Sequence, residues 1–204
     1  MIIAVDGPSA SGKTKLGKNL SNYLGIKFID SGKLYRIVAY LYKLENKNLK
    51  KFLKSKNWNE IFETFEDKEE LYSPEVSDIS SKLSMNRCVR RVINNYLRNL
   101  AKSENLVVAG RDIGTVVFKN ADLKIFLTAD EEERKKRRIK QLIEKGYSPD
   151  KIEEELFKRD IRDTSRKISP LKPAKDALII DNTNLKKEDT LNIVINELKK
   201  RGLI

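Results

Sequence analysis

Residues 7–14, Gly7-Pro8-Ser9-Ala10-Ser11-Gly12-Lys13-Thr14, follow the pattern G-x-x-x-x-G-K-[ST], and this segment restricts the fold more than any other. Its glycines let the backbone curl until successive N–H groups point into one anion-sized hollow. Lys13 can then reach the outer phosphates of a nucleoside triphosphate, and the Thr14 hydroxyl can hold Mg²⁺. Such a loop needs a strand entering it and a helix leaving it, because the helix N-terminus adds the positive end of its dipole. Both flanks are present: Ile2, Ile3, Ala4 and Val5 form an apolar run, and Leu16, Leu20, Tyr23 and Leu24 recur at helical spacing.

The alternation continues along the chain. Strand-like apolar runs recur at Ile2 to Val5, Ile26 to Ile29, Leu106 to Ala109, Leu123 to Leu127 and Ala177 to Ile180. Between most of them lie helical patterns. One carries Val89, Val92, Ile93, Tyr96, Leu97 and Leu100 on a single face, and the last carries Leu191, Val194, Ile195 and Leu198. Strands separated by helices predict an α/β fold with a doubly wound parallel sheet. A length of 204 residues suits one domain with a real core.

Two stretches break the pattern. Leu44 to Ser73 is rich in Lys, Glu and Asn, contains the only tryptophan, Trp58, and reads as a small helical insert. Asp130 to Arg166 is dominated by charge: Glu131, Glu132 and Glu133 precede Arg134, Lys135, Lys136, Arg137 and Arg138, with a break at Gly146 to Pro149. Thr128 and Glu131 stand in the spacing of a capping box, and the acidic triplet suits a first helical turn. The low apolar content predicts a helical hairpin that acts as a lid.

Composition narrows the chemistry. The chain has no histidine, which removes the commonest metal ligand and the commonest general base. Cys88 is the single cysteine, so no internal disulfide can form, and its place beside an apolar stripe predicts a core thiol. No apolar run approaches the length of a membrane span, and the core strand begins directly at the N-terminus, so a soluble cytoplasmic protein is expected. Lys and Arg total 42 against 30 Asp and Glu, a formal charge of +12 that favours polyanionic partners. Many of the lysines neighbour glutamates in helical patterns, which is the signature of a solvated face more than of a nucleic-acid groove.

A phosphate loop alone does not separate a GTPase, a motor or a small-molecule kinase. No N-K-x-D guanine-reading motif is present. Arginines and aspartates cluster instead at strand ends: Asp30-Ser31-Gly32 with Tyr35-Arg36, Gly110-Arg111-Asp112-Ile113-Gly114-Thr115, and Arg159-Asp160 with Arg162-Asp163 and Arg166. With the phosphate loop, Asp30 to Arg36, Ser73-Pro74-Glu75-Val76, Gly110 to Phe118 leading into Leu123 to Leu127, and Arg159 to Leu171, the sequence resembles the cytidylate kinases. These are bacterial CMP/dCMP kinases of the nucleoside monophosphate kinase group. The resemblance runs in order over nearly the whole chain, and the Gly110 to Phe118 block is its most specific part.

The resemblance implies a P-loop NTPase with a central five-stranded parallel sheet flanked by helices, a monophosphate-binding insert and a helical lid. It places a single kinase domain over 1–204, with the core at 1–36, 85–129 and 167–204, the insert at about 37–84 and the lid at about 130–166. ATP would be held by Gly7, Pro8, Ser9, Ala10, Ser11, Gly12, Lys13 and Thr14, with Mg²⁺ at Thr14. Ser31, Arg36, Arg111 and Arg166 would surround the acceptor monophosphate, where a guanidinium grips phosphate oxygens in a fork. Ser81, Arg90 and Asp112 match positions that read the cytosine edge, and Arg159 and Asp163 match those near the sugar and the transferring phosphate. Lys13, Arg111, Arg159 and Arg166 would carry catalysis, with Arg134, Arg137 and Arg138 as candidate lid arginines. The expected substrates are CMP and dCMP, acted on by a monomer with no stable nucleic-acid partner and no membrane association.

The chain departs from the family pattern at Ala109, where an aspartate usually precedes Gly-Arg-Asp, at Lys33-Leu34, and in a short Leu44 to Ser73 insert. The alternatives are another P-loop small-molecule kinase, acting on UMP, AMP, thymidylate or shikimate, and a basic nucleic-acid-binding protein with a vestigial nucleotide site.

Overall fold

A computed structural model of the chain describes residues 1–45, 48–144, 146 and 160–204. These form two compact units, Met1–Ile29 with Glu104–Ile204 (unit 1) and Asp30–Ser103 (unit 2).

Unit 1 is built on five strands, β1 (Ile2–Asp6), β2 (Lys27–Asp30), β3 (Leu106–Gly110), β4 (Leu123–Thr128) and β5 (Leu178–Asp181), in the order β2-β3-β1-β4-β5. The sheet is parallel, with Val5 opposite Ala109 on one side and Ile125 on the other. Every strand ends one residue beyond its apolar run. The apolar side chains stop there, but the strands continue into Asp6, Asp30, Gly110, Thr128 and Asp181, of which Asp6 and Gly110 are still buried. Because all strands run one way, these ends share the sheet edge where open α/β sheets bind ligands.

The first helix, α1 (Lys13–Leu24), starts at Gly12 and stops at Gly25, whose N–H bonds to the Ser21 carbonyl. Leu16 and Leu20 join Ile3, Val5 and Leu127 in the core; Val194 and Leu198 of the last helix, Lys187–Lys200, complete it. Each such buried aliphatic side chain contributes about 2 kcal/mol, so this packing fixes the sheet edge rather than merely covering it. Tyr23 departs from the expected stripe and is 52% exposed, because Gly17 and Ser21 fill the remaining buried positions of α1.

The helix carrying the charged run spans Glu131–Ile143, with the acidic triplet in its first turn. The expected Thr128–Glu131 capping box is not formed. Thr128 belongs to β4, and its carbonyl accepts from the Asn182 N–H at 2.9 Å. Asp130 caps the helix instead, its side chain accepting from the Glu132 N–H at 2.9 Å. Residues 160–165 are helical again, whereas Lys145 and residues 147–159 lie outside the described residues, and with them most of the expected hairpin and Arg159.

Unit 2 is helical: α2 (Ser31–Glu45), α3 (Leu49–Lys54), α4 (Trp58–Thr64), a 3-10 turn (Glu69–Tyr72), α5 (Pro74–Leu83) and α6 (Arg87–Leu100). Asn48, Ser73 and Asn86 accept the first N–H groups of α3, α5 and α6, and Pro74 sits in the first turn of α5, where its missing N–H is not needed. The aromatics of the insert pack on one another from Tyr42 through Phe52, Trp58 and Phe62 to Tyr96, with ring centroids 5.4, 5.5, 5.5 and 5.1 Å apart. The Trp58 indole N–H donates to the Leu53 carbonyl at 2.8 Å. Helix α6 buries Val89, Ile93, Tyr96 and Leu97 as its periodicity predicts, while Cys88 is only partly buried. Among the described residues no helix is long and apolar enough to cross a membrane.

Candidate active site

The loop after β1 has the backbone its sequence demands. Gly7 has φ +152°, and a Cβ there would fall 2.0 Å from the Leu127 carbonyl oxygen of β4, a backbone atom that cannot yield. Gly12 (φ +93°) and Ala10 (φ 56°) are left-handed, the conformation that turns consecutive N–H groups inward. Ala10 bears this strain with a side chain, and such strain collects at functional loops. Lys13, buried at the start of α1, donates its ammonium to the Pro8 carbonyl at 2.5 Å and to Ser11 Oγ at 3.3 Å. Its charge is therefore held over the loop. Thr14 is exposed in the same first turn.

Three further side chains brace this loop. Asn182, just past β5, donates to the Ser11 carbonyl at 2.8 Å. Arg137 bonds Asn182 Oδ1 and its carbonyl, both at 3.0 Å, and the Thr183 carbonyl at 3.3 Å, while Glu133 takes its Nε at 2.8 Å. Arg134 donates to the carbonyls of Ala129 (3.1 Å) and Ser9 (3.4 Å) and forms an ion pair with Asp160. The Ser9 N–H, in turn, donates to Asp160 at 3.2 Å. A carboxylate thus rests on a phosphate-loop donor.

Beyond β3, residues Ile113–Val117 form a π-helical turn, a form frequent at functional sites. The turn's first N–H groups, Ile113 and Gly114, donate to the two carboxylate oxygens of Asp6 at 2.8 and 2.7 Å. Burial pushes Asp6 up to about 6; the two amides and Lys13 oppose that rise, and Asp112 adds to it.

A charge chain lies beside this turn. Arg111 donates to Asp163 at 3.0 Å, Asp163 lies 3.4 Å from Arg166, and Arg166 lies 3.6 Å from Asp112. Asp112, Asp163 and Arg166 are all buried. Four of the expected acceptor residues, Arg111, Asp112, Asp163 and Arg166, therefore meet in unit 1. Ala109, the departure from the family pattern, is simply a buried residue of β3.

Unit 2 holds Ser31, Arg36, Ser81 and Arg90, and Arg159 lies outside the described residues. Ser31 is buried at the start of α2, and the Asp30 carboxylate accepts from the Gly32 N–H at 2.9 Å. The Arg36 guanidinium lies 5.5 Å over the Tyr72 ring, and Tyr72 donates to the Asp67 carboxylate at 3.1 Å. Burial, then the Asp67 charge, pushes the Tyr72 phenol up to about 12. Lys33 pairs with Asp67 at 3.4 Å and Leu34 is buried, so the Lys33-Leu34 departure is absorbed by local packing. Arg90, buried in α6, donates to the Ser84 carbonyl at 3.0 Å and lies 5.8 Å over the Tyr35 ring. The Ser81 hydroxyl is buried and has no hydrogen-bond partner among the described residues. Such a group is costly without a polar ligand.

Asp6, Asn182, Asp160 and Tyr72 are absent from the expected set. Asp6 has a signal, since it directly precedes Gly7. The others work through contacts distant in sequence.

A parallel five-stranded sheet whose central strand runs into a G-x-x-x-x-G-K-T loop defines the P-loop NTPase fold. Consistent with that, a shikimate kinase from Acinetobacter baumannii, in complex with shikimate, has a similar fold, with TM-score 0.51, 18% identity and coverage of 100% of this chain and 95% of that one. The cytidylate kinase family profile matches residues 3–200, and the chain belongs to this family. Cytidylate kinases from Thermosipho melanesiensis and Thermotoga maritima are each 39% identical to it, over 98% of this chain and 97% of theirs.

Proposed function

We propose that the protein transfers the γ-phosphoryl group of ATP to CMP or dCMP, giving ADP and CDP or dCDP. The observation that carries this reading is the convergence of Arg111, Asp112, Asp163 and Arg166, beside a braced phosphate loop, in a chain of the cytidylate kinase family. The loop Gly7 to Thr14 takes the triphosphate. Ser31, Arg36, Arg111 and Arg166 take the acceptor phosphate, Ser81, Arg90 and Asp112 its base, and Arg159 and Asp163 its sugar and the transferring group. Asp112 accepts from the cytosine amino group, which uracil lacks, and so prefers CMP to UMP.

The acceptor is a phosphate oxygen, already ionised near neutral pH, so no side chain has to remove a proton and the lack of histidine costs nothing. Catalysis comes from alignment and charge neutralisation. Lys13, already poised over the loop by Pro8 and Ser11, exchanges those partners for β- and γ-phosphate oxygens. Arg111 and Arg166 bring positive charge to the equatorial oxygens, and Arg134 reaches the loop at Ser9. The donor set suits Mg²⁺: Thr14 offers one exposed hydroxyl, and no acidic cluster able to hold a metal alone is found among the described residues. Mg²⁺ takes phosphate oxygens and keeps several waters, so Thr14 would hold it and it would neutralise phosphate charge. The protein acts as a cytoplasmic monomer on small nucleotides.

Steady-state assays with ATP against CMP, dCMP, UMP and AMP test acceptor and reaction class together. CMP and dCMP are expected to be used best, and activity on AMP without CMP activity overturns the reading. Lys13→Ala should lower turnover by a factor on the order of 10²–10³.

A further inference from the structure

Asp6 is almost fully buried at the end of β1, and both of its carboxylate oxygens are committed to N–H groups of a turn more than a hundred residues away in sequence. The first N–H groups of a helical turn have no acceptor within it and are usually satisfied by the side chain of the preceding residue. That residue is Asp112, one of the best capping types. Yet Asp112 makes no side-chain cap to its own turn, although its carbonyl accepts from the Val116 N–H at 2.9 Å and the Val117 N–H at 3.2 Å. Its carboxylate lies instead 3.6 Å from Arg166. Asp6 has taken over the capping role from the neighbouring strand.

We infer that Asp6 is a positioning residue for acceptor selection: by capping the Ile113–Val117 turn from β1, it keeps the Asp112 carboxylate directed to Arg166 and to the base of the acceptor. The inference rests on the proposed role of Asp112 in reading cytosine. Three features support it. The register pairs Asp6 with Gly110, which places Asp6 beside the start of the segment it caps. Burial in that position is unfavourable to a carboxylate, yet a group raised only to about 6 stays ionised at neutral pH, as acceptance of two N–H bonds requires. Asp6 also directly precedes Gly7, so one residue joins the start of the phosphate loop to the turn that carries Asp112. Without this cap, the N–H groups of Ile113 and Gly114 would draw the nearest carboxylate, Asp112, back onto its own turn and away from Arg166.

The test is the ratio of kcat/KM for CMP to that for UMP. Asp6→Asn retains shape but replaces one acceptor oxygen with an N–H donor facing an N–H. The ratio should fall roughly tenfold in this variant, within the range set by one base-edge contact. Loss of folding support alone would lower both acceptors equally and leave the ratio unchanged. Asp112→Asn is measured alongside. A ratio lost in Asp112→Asn but intact in Asp6→Asn overturns the inference alone; a ratio intact in both overturns it together with the reading of Asp112. Should Asp6→Asn not fold, Asp6→Ser and amide hydrogen exchange of Ile113 and Gly114 in the wild-type protein decide the matter. Slow exchange at both amides is expected, and exchange as fast as in an exposed loop overturns the inference.

Discussion

Arg111 and Asp163 meet at 3.0 Å across 52 residues of sequence, and Asp163 holds Arg166 from its other oxygen. One carboxylate therefore sets two guanidinium groups. Asp163→Asn leaves both arginines short of a counter-charge in a largely buried setting, where removing one partner of an ion pair costs about 3–5 kcal/mol. Urea unfolding should show a loss of that order. Activity with CMP should fall as well, and a variant with wild-type stability would contradict the shared role of Asp163.

The Ser9 N–H rests on Asp160, with Arg134 bound to the same carboxylate. On the proposed reading, an incoming triphosphate would displace that carboxylate from the Ser9 N–H. Asp160→Asn weakens the competitor, so KM for ATP should fall by about two- to tenfold, the worth of one ordinary hydrogen bond. KM for CMP should change less. A rise in KM for ATP would show that Asp160 assists the nucleotide.

Arg36 is held over the Tyr72 ring, itself anchored by Asp67. Tyr72→Leu removes the ring and should raise KM for CMP by about two- to tenfold, following the usual strength of a cation–π contact. Tyr72→Phe keeps the ring and should recover most of the affinity. Equal effects from both variants would assign the role to the hydroxyl.

Asp6 has a stability signature of its own. Its carboxyl is raised from 3.8 to about 6 in the folded protein, so between these pH values the folded state binds more protons than the unfolded one. Stability contributed by this group therefore falls as pH rises from 4 to 6, by about 3 kcal/mol in total. Asp6→Asn should lose this dependence. The comparison is the difference in unfolding free energy between variant and wild type at pH 4 and pH 7; a difference that does not change with pH would refute the assignment.

The fold was largely legible because burial writes a period into the sequence, and the five apolar runs are the five strands. Their last residues were not legible. Asp6, Asp30 and Asp181 carry the sheet one step past its apolar stretch, and a hydrophobicity pattern cannot mark a residue that belongs to a strand while its polar side chain bonds a neighbouring loop or turn. Thr128 misled for the same reason: its spacing to Glu131 suggests a cap, but sheet pairing claimed it and Asp130 took the role. Lys13, Arg111 and Asp112 stood out because each lies in a short local motif. Asp160 on Ser9 and Asn182 on Ser11 join segments 151 and 171 residues apart, distances at which local pattern carries no signal.

The aromatic row from Tyr42 to Tyr96 places the only tryptophan of the chain in the interior of unit 2. Indole emission from the unlabelled protein therefore reports on one unit alone, while far-ultraviolet dichroism sums over both. Whether the units melt together or in succession can be read by overlaying the two optical signals from a single heated sample.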